Sequence, residues 1–271
     1  MLNLVPLAKV EVGPLRIAYD REGDGPPLVL LHGFFCDRTL WRPQLHDLAD
    51  EFTVIAQDLP GCGESSDIPE TFPLHAFAEV VSSVIQRLGL QHAHVLGLSL
   101  GSAVALELYR LRPELPTSLI LASAYAGWKG SLPADVVEQR LERTVRQTYV
   151  PPERWVKEWV VPGLLTDAAP SEMVADVSRM VSAFHPIGAR AMTRAAAEAD
   201  LRYVLPLITV PTLLIYGEKD VRSPVSVGKA IHAQIPHADL VVIPNAGHAC
   251  NVEAAERFNS EVRRFLRAHQ A

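Results

Sequence analysis

Short unbroken apolar runs alternate along the chain with stretches whose apolar residues recur every three or four positions, which predicts strands interleaved with helices. Leu28-Val29-Leu30-Leu31, Phe52 to Ala56, Val95 to Leu98, Ser118 to Ala122, Thr212 to Tyr216 and Leu240 to Ile243 read as strands. A run that is apolar at every position needs cover on both faces, as in a parallel sheet. Leu74 to Leu88 places Phe77, Val81, Val84 and Leu88 at spacings of four, three and four, one face of a helix that Gly89 ends. Leu100 to Arg112 repeats the pattern with Val104, Leu108 and Leu111 before Pro113, and Glu253 to Ala268 does so with Ala254, Phe258, Val262 and Phe265/Leu266. Thr39 to Ala49 and Pro224 to Gln234 supply two more helices, whereas Lys9 to Asp20 alternates by two around Gly13-Pro14, as a hairpin does. Together these predict an α/β fold with a doubly wound, mostly parallel sheet, whose ligand-binding loops lie at the carboxyl ends of the strands. His32, Asp58, Ser99 and Asp220 all follow such ends.

From about Gly127 to Tyr203 the alternation stops, and only helical patterns are found. The expected organisation is therefore a core of residues 1–126 and 204–271, with residues 127–203 inserted as a helical cap. Three of the four tryptophans (Trp128, Trp155, Trp159) and three of the four methionines (Met173, Met180, Met192) fall in the insertion. Such side chains suit an apolar pocket. Phe35, Trp128, Trp155, Trp159 and Met180 are the candidates for its lining, and packing of the cap onto the body is the other role open to each.

Composition narrows the classes. At 271 residues, 48% hydrophobic and 21% charged, the chain can bury a full core. A net charge of −6 without a basic run argues against a nucleic-acid surface, and no apolar stretch approaches the length needed to span a bilayer. Met1 to Val12 contains Lys9 and Glu11 and no apolar block of signal-peptide type, so a cytoplasmic setting is expected. Cys36, Cys62 and Cys250 lack paired spacing, which fits reduced thiols, and the ten histidines form no ligand cluster. A small molecule is the expected partner, for a monomer or homodimer.

The chemistry centres on Gly97-Leu98-Ser99-Leu100-Gly101, where an apolar strand turns into a helix over one residue. Such a turn strains the residue at its tip and leaves room only for hydrogen beside it, which suits the flanking glycines. A serine hydroxyl becomes a nucleophile when a neutral imidazole takes its proton and a carboxylate fixes the imidazole's tautomer. Both occur downstream, Asp220 after Gly217-Glu218-Lys219 and His248 after Pro244-Asn245-Ala246-Gly247, in the chain order serine, acid, histidine.

Taken together, His32-Gly33 after a strand, Asp58-Leu59-Pro60-Gly61-x-Gly63-x-Ser65, the Gly97-x-Ser99-x-Gly101 elbow, Gly217-x-x-Asp220, and Gly247-His248 followed by Glu253 resemble the α/β-hydrolase fold, in its capped single-domain esterase and lactonase form. The resemblance implies that Ser99 is the nucleophile, His248 the general base and acid and Asp220 its orienting partner, although Glu218 is another carboxylate nearby. It places the oxyanion hole at the backbone N–H groups of Phe34 and Leu100 and gives His32 the role of ordering that loop. The implied reaction is acyl transfer on a small or medium carboxylic ester, lactones included, with neither metal nor organic cofactor. Hydrolysis is then expected to fall at acid pH as the imidazole protonates. Leu98 before the serine and Ala249 after the histidine depart from the pattern of carbon–carbon bond hydrolases. That activity, cofactor-free haloperoxidase or perhydrolase activity, hydroxynitrile lyase activity and a non-enzymatic small-ligand receptor on the same fold are the alternatives. Cys62 departs from the polar or aromatic residue usual at its position and is expected to pack the loop.

Overall fold

In the computed structural model, which describes residues 7–269, the predicted strands join one eight-stranded sheet. They are β1 (Ala8–Val12), β2 (Leu15–Glu22), β3 (Pro27–Leu31), β4 (Thr53–Gln57), β5 (Ala93–Leu98), β6 (Pro116–Ala122), β7 (Thr212–Gly217) and β8 (Asp239–Ile243), in the spatial order β1-β2-β4-β3-β5-β6-β7-β8. The β1–β2 hairpin is antiparallel and β2 runs antiparallel to β4, while every other pairing is parallel. Because β4 and β5 flank β3 on opposite sides, the winding direction reverses at β3, and a crevice opens beyond the carboxyl ends of β3 and β5.

The central strands β3 to β7 are mainly apolar because each feeds two cores. On β3, Val29 and Leu31 pack into one core and Leu28 and Leu30 into the other, and β6 divides Leu119 and Leu121 from Ile120 and Ala122 in the same way. The helices among the described residues are α1 (Arg42–Leu48), α2 (Leu74–Arg87), α3 (Leu100–Leu111), α4 (Ala134–Gln147), α5 (Val161–Leu164), α6 (Ser171–Ser182), α7 (Pro186–Glu198), α8 (Val225–His232), α9 (Cys250–Glu253) and α10 (Ala255–Ala268). The first core is closed by Phe77 and Val81 of α2, Val104 and Leu108 of α3 and Ile231 of α8. Leu45 and Leu48 of α1 and Phe258, Val262, Phe265 and Leu266 of α10 close the second. Between β6 and β7 the described chain is helical, as the sequence predicts, and α7 joins the first core through Ala191, Met192, Ala195 and Ala196. No helix among the described residues is long and apolar enough to cross a membrane. Residues 1–6 of the Met1 to Val12 stretch lie outside the described residues.

Two predicted helices are divided. The Thr39 to Ala49 stretch becomes a 3₁₀ turn (Arg38–Trp41) followed by α1, because Pro43 can enter a helix only near its start. Asp37 caps that turn by accepting the Thr39 N–H at 2.7 Å. The stretch from Glu253 breaks at Ala254 (φ −129°, ψ 47°), where the chain changes direction between α9 and α10.

The second core is tied down at its rim by Glu51, which accepts Nε and Nη2 of Arg267 at 2.7 and 2.7 Å and also pairs with Arg263. The Arg267 hydrogen bonds, opposed by burial and helped by the hydrogen bond and charge of Arg263, hold the Glu51 carboxyl down to about 2. A carboxyl lowered on folding contributes stability above its ordinary pKa and loses that contribution as pH falls through the folded value. The denaturation midpoint of the wild type is therefore expected to drop more steeply than that of Glu51→Gln between about pH 5 and 2. Parallel urea titrations check this, and superimposable acid limbs would refute it.

Candidate active site

At the end of β5 the chain enters α3 through one residue, Ser99, held at φ 54° and ψ −111°. Sterics impose the two glycines. A Cβ on Gly97 would stand 2.3 Å from the Gly101 carbonyl oxygen, and one on Gly101 would stand 2.1 Å from that of Leu31 in β3. The Ser99 N–H donates to the Ala122 carbonyl of β6 at 2.8 Å, and the Ser102 hydroxyl to the Gly97 carbonyl at 2.6 Å. The strained turn is thus fixed from both sides.

Asp220 leaves the loop after β7 with Oδ1 accepting the N–H groups of Arg222 and Ser223 at 2.8 and 2.8 Å. Its Oδ2 meets Nδ1 of His248 at 2.8 Å. Burial works to raise the Asp220 pKa, but the charge and hydrogen bond of His248 and the two backbone donors outweigh it and hold the carboxyl below its usual value. With Nδ1–H donated to the carboxylate, neutral His248 keeps Nε2 as an acceptor. Glu218, the other nearby carboxylate, is engaged elsewhere, accepting the Asn245 N–H at 3.0 Å.

The His248 loop is pinned on three sides. Ser123 Oγ donates to the His248 carbonyl at 2.9 Å, the Ala249 N–H donates to the Leu164 carbonyl at 2.8 Å, and Glu253 Oε2 accepts the Gly247 N–H at 2.6 Å. Through Oε1 the same Glu253 accepts the N–H and hydroxyl of Thr166, so one carboxylate ties the histidine loop to the helical insertion.

Ser99 and His248 open onto one cavity of about 520 Å³, whose lining includes Gly33, Phe34, Phe35, Tyr125, Trp128 and Trp159. Among the described residues, neither the Phe34 N–H nor the Leu100 N–H makes a hydrogen bond, the latter because it opens α3. His32 fixes the loop that carries Phe34. Its Nε2 accepts the Leu59 N–H at 3.0 Å, so Nδ1 holds the proton and donates to the Gly33 carbonyl at 2.8 Å. Burial, opposed by Asp58, pushes the His32 pKa down and keeps the ring neutral. Asp58 in turn accepts Arg38 Nη1 at 2.7 Å and the Glu64 N–H at 2.8 Å, which gives the Asp58–Ser65 loop a structural role. Phe35 takes φ 61° and is buried with ring centroids 5.2 Å from Trp155 and 5.1 Å from Phe184.

The expected pocket lining needs two corrections. Phe35, Trp128 and Trp159 face the cavity, but Trp155 and Met180 do not line it. Trp155 is 3% exposed, packs behind Phe35 and Trp159, and donates Nε1–H to the Val150 carbonyl at 2.9 Å. Met180 sits at a separate narrow cleft beside Cys62 and Phe184. The sequence analysis missed Tyr125, Arg140, Arg143 and Arg222, all of which line the cavity. A usable signal was present. Val136, Gln139, Arg140, Arg143 and Thr144 stand at the spacings of a single helix face, and α4 turns that face toward the serine. Burial raises the thiol pKa of Cys36, Cys62 and Cys250 alike. Cys62 packs within the first core, and burial pushes the Cys250 thiol up to about 12.

A family model described as the alpha/beta hydrolase family matches residues 28–261. The chain belongs to that family. A thermophilic esterase from Thermogutta terrifontis (malate bound) shares this alpha/beta hydrolase architecture at 30% identity and TM-score 0.90, covering 98% of this chain and 100% of that one. The dihydrolipoyllysine-residue acetyltransferase component of the acetoin cleaving system of Pseudomonas putida is 33% identical over 96% of this chain and 69% of its own length. The pimeloyl-[acyl-carrier protein] methyl ester esterase of Aliivibrio salmonicida is 28% identical over 92% of this chain and 95% of its own.

The different settings of the two neighbouring tryptophans give a stability prediction. Trp155→Ala is expected to cost about 3–5 kcal/mol, as loss of a fully packed aromatic does, and Trp159→Ala distinctly less because one side of its ring faces the cavity. Urea unfolding of both variants checks this, and equal losses would contradict the placement.

Proposed function

We propose that this alpha/beta hydrolase cleaves carboxylic esters, lactones among them, with Ser99 as nucleophile, His248 as base and acid, and Asp220 as the group that orients His248. The observation that carries the proposal is the 2.8 Å His248–Asp220 hydrogen bond beside a cavity onto which both His248 and Ser99 open. The esterase descriptions of two relatives support the same reaction class.

In the proposed first step Ser99 Oγ forms a bond to the carbonyl carbon while His248 Nε2 takes the hydroxyl proton. The carbonyl oxygen becomes an oxyanion, for which the unpaired N–H groups of Phe34 and Leu100 are the donors. Each such donor is typically worth about 3 kcal/mol. As the tetrahedral centre collapses, the bond to the alcohol oxygen breaks and that oxygen receives the proton from His248. Water, deprotonated by the same imidazole, then releases the acid and restores Ser99. Asp220 stays ionised throughout and stabilises the imidazolium. Residues 127–203 act as the cap that selects substrate, through α4 and the turn that carries Trp159.

Steady-state hydrolysis of p-nitrophenyl esters tests the proposal. Ser99→Ala is expected to lose at least about a thousandfold while remaining folded, and a smaller loss would remove the serine from the mechanism. Wild-type kcat/KM is expected to decline toward acid pH as His248 protonates, whereas a flat profile from about pH 5 to 9 would exclude it as the base. Trp159→Ala is expected to alter acyl-chain preference more than turnover of the acetate, and a uniform loss on every ester would refute a lining role.

A further inference from the structure

The lining of the cavity onto which Ser99 opens is unusual in its charge. Arg140, Arg143 and Arg222 all line it, and the one carboxylate in the lining is the exposed Glu158. None of the three arginines makes an ion pair among the described residues. Aromatic faces and backbone carbonyls hold them instead. Arg143 and Arg222 lie over the ring of Trp159, 4.5 and 5.2 Å from its centroid, and Arg140 lies over Tyr125 and Trp128 at 5.8 and 6.0 Å. Arg222 Nη2 donates to the carbonyls of Trp159 and Val160 at 3.3 and 3.3 Å, and its Nη1 makes no hydrogen bond. The close approach of Gly163 makes room for this guanidinium, since a Cβ there would stand 2.2 Å from Nε. Arg140 donates to the Tyr125 hydroxyl at 2.9 Å and to the Arg222 carbonyl at 3.1 Å, which leaves its Nε free, and Arg143 makes no hydrogen bond.

A guanidinium stacked on an aromatic face keeps its N–H edge available, and that edge matches a carboxylate in a two-point fork. Partial removal from water strengthens such a pair. Three positive charges against one negative leave the wall with an unmet demand for an anion. Its apolar neighbours, Trp128, Val136 and Trp159, suit a short hydrocarbon spacer between that anion and the reacting carbonyl. Glu158 at the rim and Asp220 behind Arg222 oppose a second negative charge, which favours a monoanionic carboxylate over a phosphate dianion.

The geometry points to Arg140, Arg143 and Arg222 as a carboxylate-binding subsite, so that the preferred substrates are esters or lactones that carry a free carboxylate, such as half-esters of dicarboxylic acids. This rests on the ester-hydrolase proposal for the reaction, but the subsite can be tested apart from it. p-Nitrophenyl hemiadipate and methyl p-nitrophenyl adipate differ only in whether the far end is charged. The wild type is expected to favour the half-ester by at least tenfold in kcat/KM. In Arg143→Met and in Arg140→Met that ratio is expected to fall by about tenfold or more, the worth of a charge-assisted hydrogen bond. A wild-type ratio near one, or ratios in both variants within twofold of wild type, would overturn the subsite while leaving the esterase proposal intact. If the wild type cleaves neither compound, the esterase proposal fails, and calorimetric titration of adipate into the wild type and the two variants decides the subsite alone. Adipate binding weakened about tenfold by each substitution sustains it, and absent or unchanged binding overturns it.

Discussion

The close approach of β5, α3 and β3 at the elbow is the constraint on which the rest of the structure depends. Gly97 and Gly101 let a strand, a helix and the carbonyl of Leu31 come within distances that no side chain tolerates. Crowding of this kind forces Ser99 into positive φ and makes the first N–H of α3 an unpaired donor beside the serine hydroxyl. It also sets where the other functional groups must be. With β3 and β5 locked together, the loops after β3, β7 and β8 have one crevice to converge on, and Phe34, Asp220 and His248 lie on those loops. The strain is stored in a sheet whose strands are buried on both faces, so the cores on either side oppose its release.

Electrostatics divides the residues in and around the cavity lining into two groups. Of the charged and titratable groups near Ser99, Asp220 accepts from two backbone amides and one imidazole, His32 is held neutral, and Asp58 is paired with Arg38. Around Arg140, Arg143 and Arg222 the balance is reversed, with guanidinium groups stacked on aromatic rings and left without anionic partners among the described residues. A buried or half-buried charge without a partner is costly, and an arrangement that leaves several together is stable only when stacking and carbonyl contacts offset part of that cost. The carboxylate that orients His248 is thus satisfied within the protein, whereas the three arginines have no anionic partner among the described residues.

The elbow at Ser99 and the places of Asp220 and His248 were legible in the sequence because each depends on local backbone geometry at a strand end, where glycines, an aspartate and a histidine stand out from apolar runs. The body of the fold was legible for the same reason. The pocket was less so. Trp155 and Trp159 stand four apart and their rings are neighbours, with centroids 6.1 Å apart, yet only Trp159 reaches the cavity because Trp155 is buried behind it. Met180 shows the same limit, because which cleft a flexible apolar side chain fills is decided by how α6 packs and not by its own neighbours in sequence. The arginines of α4 were passed over because charged residues on a helix ordinarily face water, and their periodicity gains meaning only once α4 is seen to lie over the serine.

The insertion is bonded directly to the loops that carry Asp220 and His248, which bears on how substrate could enter. Leu164 accepts the N–H of Ala249, Thr166 donates to Glu253, and the carbonyls of Trp159 and Val160 accept the Arg222 side chain two residues beyond Asp220. Moving the stretch from Trp159 to Thr166 would therefore disturb the histidine and the aspartate together. The α4 helix is held differently. It rests on α7 within the insertion, and its hydrogen bonds to the body come from Arg140, to Tyr125 and the Arg222 carbonyl. The stretch from Trp159 to Thr166 is therefore tied by hydrogen bonds to the Asp220 and His248 loops, whereas among the described residues α4 is hydrogen-bonded to the body only through Arg140.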